Sequence, residues 1–360
     1  MGAGTEHARM RPRPIDARHD PTLSARVMRR VSMRYAAGAD PATDRPAQVR
    51  AASGIAWVGT KVAVIQDDAN FVALVDPDTG LAEAITLPPG PGGRRLFDDG
   101  RRNKADKLDH EALASIEAGD GLLLVALGSG SMPRRESIAL IAGLDTAHVV
   151  TRVCAAPRFY AGLRGSVSFA GSELNIEGAI YQNGRLRLFG RGNGAARGDV
   201  RPVNATCEIE WAALRSHIED HDRAPPPVPL NVVQYELGFI GDARLTFTDA
   251  ALGWASGAAT RPVLYSAAAE ASPDATRDGE VAGSAIGVIE HHEGEMTARW
   301  AELRDQRGRR LPLKAEGIVL AQGPPGRLLV VVDVDAHDHP SELLEVRLEG
   351  SWPFALRLFP

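Results

Sequence analysis

One short phrase recurs five times along the chain and constrains its fold more than any other feature. An acidic or small polar residue is followed by Gly or Ala and then by aliphatic residues. The five copies are Ser53-Gly54-Ile55-Ala56, Glu111-Ala112-Leu113-Ala114, Glu177-Gly178-Ala179-Ile180, Asp249-Ala250-Ala251-Leu252 and Glu316-Gly317-Ile318-Val319. They start 58, 66, 72 and 67 residues apart. A near-constant period is the mark of a repeat architecture, in which each repeat buries its apolar face against its neighbours. Each phrase opens a similar string of strand-length apolar runs separated by turn residues. The second and third runs are KVAVIQDD and FVALVD, GLLLVALGSG and ESIALIAGL, RLRLFGRGN and NATCEIEW, PVLYSAAAE and SAIGVIEHH, and RLLVVVDVDAHD and SELLEVRL. A looser fourth run follows each time, as LAEAITLP, HVVTRVC, NVVQYEL, MTARWAEL and PFALRLF.

Five four-stranded meanders predict an all-β chain folded as a β-propeller with five blades, or six if one blade has diverged. A pair of β-sandwiches would not make one phrase return at five places. The phrase-bearing strands are expected innermost, where Gly and Ala suit the crowding near the axis. The alternating RVMRRVSMRY is expected to close the ring as an outer strand against the C-terminal blade. The boundaries that follow are a disordered or extended leader over 1–23 and a single propeller domain over 24–360. Residues 212–221 are expected to form a short helix before the Pro225-Pro226-Pro227 stop. The 37 Gly and 24 Pro of the 360 residues fit a turn-rich chain of this kind.

The topology decides where the polar residues go. In a meander blade, the start of the inner strand and the end of the second strand lie at the same end. Glu111, Glu177, Asp249 and Glu316 therefore gather round one mouth of the channel, with Ser53 completing the ring. Second-strand ends add Asp67-Asp68, Ser129-Gly130-Ser131, Arg191-Gly192-Asn193, and Asp333, Asp335, His337 and Asp338. Loops entering the inner strands add a basic rim: Arg94 to Lys107, Arg158, Arg164, Arg244, Arg307 to Arg310, and Lys314. Carboxylates packed at one narrow mouth repel, so they take up protons, bind a cation, or pair with Lys, Arg or backbone N–H groups. Hard oxygen ligands suit Ca²⁺, with Mg²⁺ the alternative. Lys314, two residues before Glu316, speaks for an internal ion pair. The Gly/Ser turn at 128–131, followed by Arg134-Arg135, is a candidate cradle for an anion. The anion-binding candidates are thus Ser129, Ser131, Arg134, Arg191, Arg310 and Lys314.

Several classes are excluded. The net charge of −5 speaks against a nucleic-acid partner. No apolar run approaches the roughly 20 residues of a membrane span. The first twenty residues lack the apolar stretch of a secretory signal, and two cysteines suit a reducing compartment, so a cytoplasmic location is expected. There is no Walker loop and no Gly-x-Ser-x-Gly elbow. Cys154 and Cys207 read as packing residues. His110 alternates away from its acidic neighbours, and His217, His221, His291 and His292 read as surface residues. With 5 Trp, 5 Tyr and 9 Phe, sugar stacking is disfavoured. DVDAHDHP, residues 333–340, lacks the Gly and the distal Glu of an EF-hand loop.

The phrases DHEALA, NIEGAI and KAEGIVL make the chain resemble the bacterial phytase-like and SdiA-regulated-type propellers, some labelled "esterase-like activity of phytase". The resemblance spans roughly residues 50–350. It implies a Ca²⁺-dependent phosphoesterase or esterase-like hydrolase of a phosphorylated or anionic small molecule. Glu111, Glu177, Asp249 and Glu316 would then face the metal, and Asp67, Asp68 or Asp333 would orient water. The chain departs from the pattern at Ser53, where an acid is expected. The alternative is a non-catalytic propeller that binds a ligand or a protein and uses the ion or ion pairs structurally.

Overall fold

The computed structural model describes residues 13–353 apart from 120, 147, 255–260, 273, 278, 293 and 335–337. Five antiparallel units follow one another, each beginning with a phrase-bearing inner strand: Ala52–Val58, His110–Ala118, Ile176–Gln182, Ala243–Leu252 and Lys314–Leu320. The inner strands contact one another in sequence, and the fifth contacts the first, so the contacts close into a cycle. The fold is all-β and propeller-like. Sheets are antiparallel inside the units and take parallel partners only at their outer edges.

Units four and five belong to one continuous sheet, joined through the N-terminal strand Leu23–Ser32. That strand pairs antiparallel with Glu342–Gly350, the third strand of unit five, and touches the outer strand of unit four at Leu303 and Arg304. It occupies the place for which PFALRLF is the other candidate; residues 354–360 lie outside the described residues. Upstream, Ile15–Asp16 pairs with the outer strand of unit three and Arg18–His19 with that of unit four. The leader from Ile15 onward is thus laid across two units.

The core is five interfaces rather than one centre. In Leu328–Val332 alternate side chains face opposite ways: Leu328, Val330 and Val332 pack on unit four, while Leu329 and Val331 pack on unit one. Val62 and Val64 similarly face unit five, and Ala63 and Ile65 face unit two. A strand buried on both faces reads as a continuous apolar run, which is why RLLVVV and KVAVI show no polar alternation. The glycines of the phrase serve close approach. A Cβ on Gly54 would lie 2.7 Å from Leu113, one on Gly178 2.9 Å from Asp249, and one on Gly317 2.2 Å from the Ser53 carbonyl oxygen. Each of these contacts crosses to the next unit. The hairpin at Asn183-Gly184 has both residues at positive φ, 51° and 81°, as a two-residue type I′ turn requires.

Two helices were not legible in the strand pattern: Pro157–Gly165, with Pro at its first turn, and Val167–Ala170. They cap units two and three with Phe159, Tyr160, Leu163 and Phe169. The expected helix near 212–221 spans Trp211–Glu219. His217, expected at the surface, is buried, and its Nδ1 lies 2.8 Å from the Ala224 carbonyl. Its position in the helix places it on the same side as Leu214 and Ile218. Among the described residues no helix is long and apolar enough to cross a membrane.

Candidate functional site

All five phrases begin at the same end of the channel. Ser53, Glu111, Glu177 and Glu316 line a cavity of about 230 Å³ there, with Asp67, Asp68 and Asp333 from second-strand ends. The fifth ring member, Asp249, is buried beside the cavity and does not line it. Its carboxylate accepts the Ile318 N–H at 2.9 Å and so ties unit four to unit five. Ser53 donates its hydroxyl to the Glu111 carboxylate, which ties unit one to unit two.

Built-in cations hold the other acids. The Lys107 ammonium lies 2.5 Å from Asp109 and 2.6 Å from Asp67. Arg135 lies 2.9 Å from Asp109. Arg191 reaches Glu177 at 3.3 Å, Glu270 at 2.5 Å and the Thr246 hydroxyl at 3.1 Å, crossing from unit three to unit four. Lys314 lies 2.8 Å from Glu316 and 3.6 Å from Glu270. Arg50 pairs with Asp68 and, at 3.3 Å, with Asp98. Asn175 donates to Glu177 at 2.7 Å. The carboxylate oxygens of Asp67, Asp109 and Glu111 lie within 4.8 Å of one another, a spacing that one metal ion could bridge. The Lys107 ammonium already stands against two of these three acids. An ammonium in contact with two of the three acids competes with Ca²⁺ for the same oxygens, so this cluster as built does not fit it.

Of the anion-binding candidates, Arg191 and Lys314 line the cavity. Ser129 does not; it is buried and donates to Asp109. Ser131 accepts from Arg135 at 2.9 Å. The hydroxyls of the Gly/Ser turn are thus engaged with Asp109 and Arg135 in the wall. Arg134 points outward to Asp106 at 3.2 Å. Arg310 stays by the outer strand of unit four, paired with Glu302, because the Asp305–Arg309 turn brings the chain back against Arg304 before it crosses to the centre. Asp335 and His337 lie outside the described residues. The sequence reading missed Arg50, Asp109, Asn175 and Glu270 as site residues. Glu270 ends the second strand of unit four, so the topological rule that found Asp67, Arg191 and Asp333 also reaches it. His110 turns away, as its alternation required: it is buried with Nε2 3.1 Å from the Ser137 hydroxyl, and burial lowers its pKa to about 4.

Burial dominates the ring's protonation. It pushes the carboxyls of Glu111 and Asp249 well above the usual range and raises Glu177, while Glu316 is pushed up to about 8 against the pull of Lys314. Burial also acts on Asp109, but Lys107 and Arg135 outweigh it and hold that carboxyl below its ordinary value. Glu316 Oε2 and Asp249 Oδ1 are buried and have no hydrogen-bond partner among the described residues, so each carboxyl is only partly satisfied.

A pH dependence of stability follows. Glu316 has an ordinary value of 4.5 and a folded value near 8, so between these limits the folded chain keeps a proton the unfolded chain has lost. Stability from this group is complete below 4.5 and is lost as pH rises through 8. His110 opposes this only below its ordinary value of 6.5. From about pH 6.5 to 8 the thermal midpoint is therefore expected to fall, and Glu316→Gln to flatten the slope. A rising midpoint, or the same slope in the variant, would contradict this assignment.

No curated protein matches the chain. Among solved structures, Myxococcus xanthus glutaminyl cyclase aligns with 94% of this chain and 99% of its own at 13% identity and a TM-score of 0.46. Drosophila Semaphorin 1a, extracellular domains 1–2, aligns over 83% and 86% at 8% identity and a TM-score of 0.36. A Cellvibrio cellulosa alpha-L-arabinanase mutant aligns over 66% and 91% at 10% identity and a TM-score of 0.29. No phytase-like family is shown by these comparisons. Residues 48–348 match the model of a family of unknown function, DUF6929, and the chain belongs to that family.

Proposed function

We propose that the chain is a single-domain, five-bladed propeller that binds a small anionic molecule at its channel mouth, with an ion-pair ring in the role a central metal would otherwise fill. The observation that carries this reading is the Lys107 ammonium, 2.5 Å from Asp109 and 2.6 Å from Asp67, inside the acid cluster with metal-like spacing. The anionic preference is supported by five buried cationic side chains, Arg50, Lys107, Arg135, Arg191 and Lys314, on the wall of one small cavity. Burial biases the carboxyls of Glu111 and Glu316 towards their neutral forms, so they offset the cations of that wall less than their number suggests. Lys104 and Arg277 extend it to the exposed rim.

The second reading is the Ca²⁺- or Mg²⁺-dependent hydrolase, with Asp67, Asp68 or Asp333 beside the water. It is favoured by the 4.8 Å spacing of Asp67, Asp109 and Glu111 and requires Lys107 to withdraw. Calorimetric titration with sulfate and inorganic phosphate, melting curves with EDTA or added Ca²⁺, and an assay on generic phosphate esters separate the two. The expected result is saturable anion binding, lost in Arg191→Met, with melting insensitive to EDTA and Ca²⁺. Phosphate-ester turnover abolished by EDTA would replace the binding reading with the hydrolase. Absence of anion binding would remove the anionic ligand.

A further inference from the structure

Beyond the acid ring the channel changes character. The first residue of each phrase is polar, but the later ones are apolar, and at the opposite end they line a second cavity of about 250 Å³. Its wall combines Ile55, Leu113, Ile180 and Ile318 with the half-buried Trp57 and Tyr181. The Trp57 indole donates to the Leu320 carbonyl at 2.6 Å, which fixes the ring as a wall rather than a mobile lid. One cation stands in the lining, Arg261. It donates through Nε at 2.8 Å and through Nη2 to the same Gly253 carbonyl, so Nη1 has no acceptor among the described residues. An apolar well with one oriented polar group is the usual form of a small-molecule site.

The geometry points to a second binding site at this end of the channel, for a small apolar carboxylate whose ring or branched chain fills the well and whose anionic group meets Arg261. Volume supports the occupant, since an apolar cavity of about 150 Å³ already holds a benzene ring. The charge supports it too: a guanidinium fixed beside an apolar wall pairs with a carboxylate through charge-assisted hydrogen bonds. The site is independent of the channel-mouth reading, because none of its lining residues belongs to the acid ring.

Benzoate, with benzyl alcohol as its uncharged counterpart, tests the inference by calorimetry or ligand-observed NMR. Benzoate is expected to bind about tenfold more tightly than the alcohol, and Arg261→Met to erase that difference. Ser115 lines the well and is exposed, so Ser115→Trp should block both ligands without disturbing the core. Melting curves check that both variants fold. Arg261→Met bears on the charge even if Ser115→Trp misfolds. Equal affinity for acid and alcohol, unchanged benzoate binding in either folded variant, or no binding at all would overturn the site.

Discussion

Replacing Arg191 by methionine is expected to cost about 3–5 kcal/mol of unfolding free energy, the range for breaking a buried ion pair from one side. Arg191 is buried between Glu177 and Glu270, and the Glu270 side chain is only 1% exposed. Losing the guanidinium leaves two acids that must stay ionised without it or take up protons. Removing the charge of one of these acids should recover part of the loss. Arg191→Met with Glu270→Gln is therefore expected to be more stable than Arg191→Met alone. Urea unfolding of the single and double variants reads this directly. A single variant within about 1 kcal/mol of the parent, as for an exposed pair, would mean that the ring is not held by its internal cations.

Gly317→Ala is the second change with a large expected effect, for a steric reason. The added methyl would sit 2.2 Å from the backbone oxygen of Ser53, an atom that cannot swing aside as a side-chain tip can. Units five and one would have to separate where the cycle of inner strands closes. About 3 kcal/mol, the upper end for overpacking, is expected. Gly190→Ala is the control, since its nearest foreign atom would be a Phe169 ring carbon at 3.4 Å, an ordinary contact. Equal costs for the two variants would refute the close-approach account of the phrase.

The repeat was legible because each unit answers the same packing demand. The phrase supplies an acid, then a residue small enough to touch the next backbone, then apolar residues for the channel and its flanks. The ring acids and the Lys314–Glu316 pair were legible for the same reason, since alternate residues share a face. Topology put Asp249 at the right end of its strand but not behind the cavity wall, where its carboxylate accepts the Ile318 N–H, a contact that depends on how closely units four and five approach. Arg310 and Arg134 were misplaced because a basic run shows charge but not how far along a crossing loop it falls. Glu270 went unnoticed at the end of an apolar, Ala-rich strand. The Arg191 link that makes it matter spans 79 residues and exists only once units three and four meet.

The pairing of Leu23–Ser32 with Glu342–Gly350 has a consequence in time. During synthesis the strand Leu23–Ser32 emerges well before its partner Glu342–Gly350. At about 5–20 residues per second, some 300 residues separate them by tens of seconds. During that interval LSARVMRRVS has no Glu342–Gly350 to pair with, and its Arg26, Arg29 and Arg30 are charges of the kind that discourage edge-to-edge pairing. Arg30 later pairs with Glu342, and Arg29 lies 3.5 Å from Glu345, so two of these three charges also fasten the finished seam.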